Sequence, residues 1–136
     1  MDSLTSIAAI ASSGLRAQGE RMRVVSENVA NAGSTANEPG GEPYRRKLIS
    51  FSELLDDGTG NSKVEVADIS RDMSDFTVRY EPHHPAADEA GFVKLPNVNP
   101  LIEMSNMREA SRSYEANMSM LENARSMRNR LIDLME

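Results

Sequence analysis

The chain has 136 residues, a net charge of −6 at pH 7 and no cysteine. Its length suits one modest domain, its acidity argues against nucleic-acid binding, and the lack of cysteine excludes disulfides, thiolate nucleophiles and cysteine metal sites. Aromatic residues make up only 4% of the chain, a thin supply for the core of an enzyme.

The first predicted element is a long helix within residues 1–35. Its apolar residues recur at alternating steps of four and three, which is the pattern of a coiled-coil seam with one polar member. We expect Gly33 to end the helix, and Gly14 and Gly19 to allow another backbone to approach closely. The seam consists of Leu4, Ala8, Ala11, Leu15, Gln18, Met22, Val25 and Val29, widened by Ile7, Ile10 and Val24.

Two asparagines, Asn28 and Asn31, fall on the last turn of this helix beside Val29 and Ala30. Asparagine is unfavourable inside a helix and favourable at its end. We therefore hypothesise that the two amides bond either the free carbonyl groups of the helix end or the backbone of a neighbouring chain. The alternative is that they only mark a fraying terminus.

Residues 36–98 form a predicted insert of short β-strands and loops. Strands are expected at 44–51, around Val64 and Val66, at 76–80 and at 91–95, because apolar and polar residues alternate there between turn-forming segments. His83 and His84 are adjacent in a proline-broken loop. Neighbouring histidines in a loop point apart, and no second group of ligands is evident, so we expect a plain loop there and no metal site.

The last predicted element is a second long helix within residues 99–136, with Asn99 as its N-cap and Pro100 at its first position. Six of the nine methionines fall in this segment. Such a stripe is a core by default, and it also suits a surface that meets several different neighbours. The stripe consists of Met104, Met107, Tyr114, Met118, Leu121, Ala124, Met127, Leu131 and Leu134.

The predicted fold is therefore mainly α with a small β insert, in which long N- and C-terminal helices form a coiled-coil-like pair within one structural unit. Ordering each helix of about thirty residues costs roughly 1–2 kcal/mol per residue, whereas burying a large apolar side chain returns about 1.5–3 kcal/mol. The outer flanks at Ile7, Ile10, Val24 and Met120 stay uncovered in such a pair. We expect the pair to be marginal alone and to need neighbours.

No catalytic or ligand-binding motif occurs in the sequence. A GxSxG elbow, an HExxH pair and a glycine-rich phosphate loop are all missing, and the arginines Arg125, Arg128 and Arg130 suit the C-terminal end of a helix dipole. We expect no enzyme activity, no cofactor and no small-molecule substrate. No stretch approaches the roughly 20 apolar residues that span a bilayer, and Asp2 stands where a secretory signal carries positive charge, so we expect neither a membrane span nor a cleaved leader.

Four segments carry a resemblance to a known family. They are SGLRAQGERMRVVSENVANAGS (13–34), GGEPYRRK (40–47), VRYEPHHPAADEAGFVKLPNV (78–98) and EMSNMREASRSYEANMSMLENARSM (103–127). They resemble the proximal-rod proteins of the bacterial flagellar basal body, specifically the C-type rod subunit. The first segment is typical of the wider rod and hook group, and the others are similar to the C-type subunit in particular.

The resemblance implies a structural subunit of the hollow axial rod that transmits motor torque. Such subunits leave the cytoplasm through the flagellar type III export apparatus and polymerise in the periplasm with copies of themselves, other rod proteins and an adaptor at the rod base. The axial helices would then be residues 1–35 and 99–136. A second hypothesis remains open, an export-linked adaptor whose methionine-rich helix captures a partner helix in a groove.

The predicted assembly interface follows the two helical stripes. It consists of Leu4, Ile7, Ala11, Leu15, Met22, Val25, Asn28, Val29, Ala30, Asn31, Met104, Met107, Tyr114, Asn117, Met118, Leu121, Ala124, Met127, Leu131 and Leu134.

Overall fold

The computed structural model describes residues 2–135 and contains two long helices with four strands between them. In chain order the elements are α1 (Asp2–Ala30), β1 (Lys47–Asp56), β2 (Asn61–Arg71), β3 (Thr77–Tyr80), β4 (Phe92–Leu95) and α2 (Pro100–Asp133). The prediction of terminal helices around a small β insert is confirmed. The helices contain 29 and 34 residues, so just under half of the chain is helical and the secondary structure is mixed.

The strands form two separate two-stranded sheets, β1 with β2 and β3 with β4. A four-residue connection joins β1 to β2, as in a hairpin, and Gly60 adopts a φ of 70° in that connection. The second sheet is antiparallel and pairs Val78 with Lys94 and Tyr80 with Phe92. β1 begins three residues later than predicted, because the side chains and backbone of the preceding residues are held by the polar contacts described below.

The chain divides into two compact units. Unit 1 comprises α1 up to Met22, Ile49–Asp68 and the chain from Arg108 onward, and unit 2 comprises Arg23–Leu48 and Ile69–Met107. Each is considered by itself below.

In unit 1 the two helices pack closely around Gly14. A Cβ atom at Gly14 would lie 2.6 Å from Oδ1 of Asn117, so a neighbour does approach closely there, but it is a side chain and not the backbone that the sequence predicts. At Gly19 the prediction is wrong, since a Cβ would find nothing within 4 Å. The hairpin joins this packing through Ser13, whose buried hydroxyl accepts a hydrogen bond from the backbone N–H of Val64 at 3.3 Å.

In unit 2 a small apolar core lies beneath the β3–β4 sheet. Ala86, Ala87 and Val93 form it, and Ala36 and Leu95 pack against it. Val24 of α1 is also buried in this unit, so the expectation that it forms an uncovered flank is wrong.

Candidate functional site

A buried asparagine organises the most connected group of polar side chains in unit 2. The Oδ1 atom of Asn28 accepts hydrogen bonds from the Lys47 backbone N–H and the Tyr44 hydroxyl, each at 2.8 Å. Its Nδ2 donates to the Lys47 carbonyl at 2.9 Å and to Oε2 of Glu103 at 3.4 Å. The amide therefore uses both its acceptor and its donor capacity, and it holds the backbone where β1 begins much as a neighbouring strand would.

A fully buried carboxylate stands beside this amide. Glu103 lies in the first turn of α2 and is 0% exposed, and its Oε1 accepts a hydrogen bond from Nε of Arg46. Arg46 also lies 3.5 Å from Oδ2 of Asp72 through Nη1, and its backbone N–H donates to Oδ1 of Asn97 at 2.8 Å. Because an unpaired buried charge is costly, the guanidinium is what permits a carboxylate at this position.

A third part of the group lies nearer the surface. Nζ of Lys47 and Nη1 of Arg23 each lie 2.6 Å from a different oxygen of Glu27. The hydrogen bond from Lys47 lowers the pKa of the Glu27 carboxyl below its ordinary value of 4.5. We call the whole group the polar joint; it consists of Glu27, Asn28, Tyr44, Arg46, Lys47, Asp72, Asn97 and Glu103.

Asn31 ends α1 in the way that one of the two hypotheses states. Its Nδ2 donates to the Glu27 carbonyl in the last turn at 2.9 Å, and its Oδ1 accepts from the Ser34 hydroxyl at 3.0 Å. Within the chain, Asn28 does not bond a helix-end carbonyl but the start of β1. The prediction for Gly33 is wrong, since its φ is not positive and Asn31 already terminates the helix two residues earlier.

Sequence reasoning missed most of the polar joint. Glu103 lies three residues after Pro100, where an acidic residue ordinarily complements the helix dipole at the surface, so nothing local marks it as buried. Arg46, Asp72 and Asn97 are far apart in sequence and each looks like a surface residue. The one available signal was Asn28, a polar residue next to the seam positions Val25 and Val29.

Unit 1 carries the second feature, an uncovered apolar surface along its helices. One groove of about 410 Å³ is lined by Ile7, Ile10, Ala11, Ala116, Asn117 and Met120. Another of about 380 Å³ is lined by Ser3, Leu4, Met127, Arg130 and Leu131. We call the large apolar residues of these grooves the terminal apolar surface; they are Leu4, Ile7, Ile10, Met120, Met127 and Leu131. Ile7, Ile10 and Met120 are exposed, as the sequence predicts.

The inward face of α2 differs from the predicted stripe. Its buried residues are Glu103, Ala110 and Ala124, which together with the half-buried Asn117 recur every seven residues. Met104, one position from Glu103, is 51% exposed, and residues 125–135 are exposed throughout. The larger apolar side chains of α2 therefore lie beside or beyond the contacts within the chain.

The predicted interface residues occupy three kinds of position. Ala11, Val25, Asn28 and Ala124 are buried; Leu4, Leu15, Met22, Val29, Asn31, Met107, Tyr114, Asn117, Met118 and Leu121 are half-buried; Ile7, Ala30, Met104, Met127, Leu131 and Leu134 are exposed. The exposed and half-buried members are the ones still able to meet another chain.

The described residues offer little for ligand chemistry. Within 2–135 no three histidine, aspartate or glutamate side chains gather in a way that could hold a metal ion. His84 is part of its loop, where its Nδ1 accepts a hydrogen bond from the Ala86 backbone N–H at 3.0 Å. Over the same residues, neither helix has the run of apolar side chains needed to cross a bilayer.

An apolar surface left uncovered along two helices is typical of proteins that assemble with other chains. Residues 89–134 match the family model described as flagellar basal body rod FlgEFG protein C-terminal. The whole chain is 48% identical over 136 residues to the flagellar basal-body rod protein FlgC of Agrobacterium fabrum, covering 100% of this chain and 98% of that relative. The chain belongs to the FlgC family of flagellar basal-body rod proteins.

More distant relatives support the same assignment. Over 124 residues the chain is 42% identical to the flagellar basal-body rod protein FlgC of Escherichia coli O6:H1, covering 91% of this chain and 92% of the relative. Over 133 residues it is 41% identical to the protein of that name from Bacillus subtilis, with 87% and 89% covered. The protein is thus a structural rod protein of the flagellar basal body and not an enzyme.

Proposed function

We propose that the chain polymerises through its terminal helical segments, with copies of itself and with other rod proteins, into the hollow rod that transmits motor torque. Residues 1–35 and 99–136 form the axial segments, and residues 36–98 form the insert. The chain joins the polymer after export through the flagellar type III apparatus. An adaptor at the rod base is one of the chain's neighbours.

The terminal apolar surface is the observation that carries this proposal. Large exposed apolar residues on a helix pair are typical of surfaces that other chains cover. The grooves lie along the helices of a single copy and are not symmetric in composition, since one contains Arg130 and the other Asn117. Contacts between unlike surfaces of successive copies generate an open helical array when the rotation between copies does not close a ring.

The helix pairing within unit 1 supports the finer description as a coiled-coil-like pair. Asn117 fills the space left by Gly14, and Nη2 of Arg21 lies 3.1 Å from Oε2 of Glu109 at its edge. Gly14 of α1 meets Asn117 of α2, and the later Arg21 meets the earlier Glu109, so the two helices are antiparallel. Small residues at the contact let the helices approach, and the larger apolar residues remain for neighbouring copies.

The decisive experiment places a charge on the terminal apolar surface. In a strain whose only copy of this subunit is the variant, Leu131→Glu should abolish motility and leave basal bodies without a complete rod. Because Leu131 is exposed, the unfolding free energy of the purified variant should stay within about 0.5 kcal/mol of the unmodified chain.

Leu55→Glu provides the matched control, since Leu55 is also an exposed leucine but lies near the end of the β1–β2 hairpin. It should retain a complete rod. Normal motility of the Leu131→Glu strain would contradict the proposal.

A further inference from the structure

One face of the β3–β4 sheet is apolar although it points away from the core of unit 2. The antiparallel register places Val78, Tyr80, Phe92 and Lys94 on the same side, which we call the β3–β4 face. Val78, Tyr80 and Phe92 are 54%, 62% and 43% exposed, whereas Val93 on the opposite side is completely buried. The sheet therefore has a second apolar side that nothing in the chain covers within the described residues.

The aromatic pair on this face is held in a defined arrangement. The rings of Tyr80 and Phe92 meet edge to face, with centroids 5.3 Å apart. Gly91 has a φ of 85°, and a Cβ there would lie 2.9 Å from Cε2 of Tyr80. Glycine thus lets the tyrosine ring lie against the backbone. Rigid exposed aromatics lose little conformational entropy on binding and are typical anchors of protein interfaces.

The segment that contains this face is acidic, although Lys94 lies on the face itself. Residues 75–95 contain four carboxylates, Asp75, Glu81, Asp88 and Glu89, against two cations, Arg79 and Lys94. Arg79 is already paired with Glu81 at 3.1 Å. Asp88 accepts hydrogen bonds from two backbone N–H groups of its loop, each at 2.9 Å. A partner for this region should therefore be basic as well as apolar.

The C-terminal end of α2 has the complementary character. Residues 124–132 contain three arginines, Arg125, Arg128 and Arg130, and no acidic residue. All three are exposed, and within the described part of the chain none of them forms an ion pair. Met127, Leu131 and Ile132 are exposed between them. This basic, apolar segment, which Asp133 follows at the end of α2, suits a partner with the opposite charge.

We propose that the β3–β4 face of one copy binds the end of α2, residues 124–132, of a second copy. Met127 and Leu131 pack on Tyr80 and Phe92, and the arginines approach the carboxylates around the face. Sulfur–aromatic and cation–π contacts strengthen such packing, and the opposite charges select the partner. The contact joins unlike surfaces, and it rests on the proposed function in that it presumes self-assembly.

Cross-linking of single-cysteine variants tests the contact directly, because the natural chain has no cysteine. One copy carries Val78→Cys, the other carries Ile132→Cys, and a short bismaleimide joins those that meet. We expect a Val78–Ile132 product at least about tenfold more abundant than the product between Ile132→Cys and Thr59→Cys, a control in the loop of the other hairpin. Equal products, or predominant Ile132–Ile132 dimers, would overturn the contact.

Charge reversal tests the same contact without a cross-linker. Self-association is measured by sedimentation for Arg125→Glu/Arg128→Glu/Arg130→Glu and for Asp75→Lys/Glu81→Lys/Glu89→Lys, with circular dichroism to confirm folding. Each variant alone should associate about tenfold more weakly than the unmodified chain, and a mixture of the two should recover, since each then supplies the charge that the other needs. Arg108→Glu/Arg112→Glu, with exposed arginines earlier in α2, is the matched control and should associate normally.

The outcomes separate this contact from the proposed function. If the unmodified chain does not associate at any concentration, self-assembly fails and the contact fails with it. If the chain associates but both charge variants associate equally well, or the mixture does not recover, only the contact between the β3–β4 face and the end of α2 is overturned.

Discussion

Asn28 shows how one polar side chain can replace a piece of regular structure. Its amide bonds both backbone groups of Lys47, at 2.8 and 2.9 Å, at the point where β1 begins. The Tyr44 hydroxyl and the Glu103 carboxylate complete its contacts. An apolar residue here would pack well in the helix seam but would leave several buried polar groups without partners.

Replacing Asn28 by alanine should lower the unfolding free energy by on the order of 3 kcal/mol, because several buried groups lose their partners at once. Urea unfolding followed by circular dichroism measures this loss of unfolding free energy. Asn31→Ala is the control, since it removes only two half-buried hydrogen bonds, to the Glu27 carbonyl and from the Ser34 hydroxyl, and should cost about 1 kcal/mol. Equal losses in the two variants would show that Asn28 has no special place in the polar joint.

Glu27 should make the stability of the chain dependent on pH in the acid range. The hydrogen bond from Lys47 lowers the pKa of Glu27 below 4.5 in the folded state, so its contribution is present above 4.5 and is lost as the pH falls through the lower folded pKa. The difference in unfolding free energy between the natural chain and Glu27→Gln should shrink as the pH drops from about 6 to about 3. A difference that stays constant with pH would contradict this prediction.

At the scale of single elements, the packing of a helix depends on the positions of its glycines. Gly14 and Gly19 look alike in sequence, five residues apart on α1, yet only Gly14 faces a neighbouring side chain closely. Glycine costs about 1 kcal/mol against alanine inside a helix, so one position has a reason for that cost in this chain and the other has none.

Gly19→Ala should therefore raise the unfolding free energy by up to about 1 kcal/mol. Gly14→Ala should lower it, because the new methyl group displaces the Asn117 amide, which donates to the Ser113 carbonyl at 2.8 Å. In an Asn117→Ala background the Gly14→Ala change should turn favourable, and a double-mutant cycle from thermal unfolding measures that coupling. If the effects of the two substitutions on the unfolding free energy are additive, residues 14 and 117 are not energetically coupled.

Local pattern was sufficient to predict both helices, all four strands and the N-cap at Asn99, whose Oδ1 accepts from the Leu101 backbone N–H at 3.1 Å. It did not predict which face of α2 turns inward. The methionine stripe and the face beginning at Glu103 are offset by one position, and the choice between them depends on Arg46, 57 residues away. A contact between residues so far apart in sequence cannot be predicted from the helical spacing of apolar residues.

At the scale of the whole molecule, polar and apolar stabilisation are distributed unequally. The polar joint connects distant segments within unit 2 through buried bonds, whereas residues 125–135 at the end of α2 are exposed throughout. A helix end without tertiary packing is only marginally stable in water. Order should therefore be uneven in a dilute, unassembled chain.

Hydrogen exchange on the dilute chain should show this contrast. Amides near the polar joint, such as those of Lys47 and Glu103, should exchange at least about a hundredfold more slowly than those of residues 125–135. In assembled rods the terminal amides should become protected as neighbours cover them. Uniform protection of the dilute chain from end to end would contradict the view that the termini need neighbours.

The hydrogen bond between Asn28 and Glu103 spans 75 residues of chain, and this separation has a consequence for timing. A polypeptide that emerges gradually from a narrow conduit cannot close this bond until both of its ends have cleared the exit. If the chain is exported through such a channel, as proposed above, unit 2 can form only after residues 28–103 have left it, so a partly exported chain has no folded unit 2.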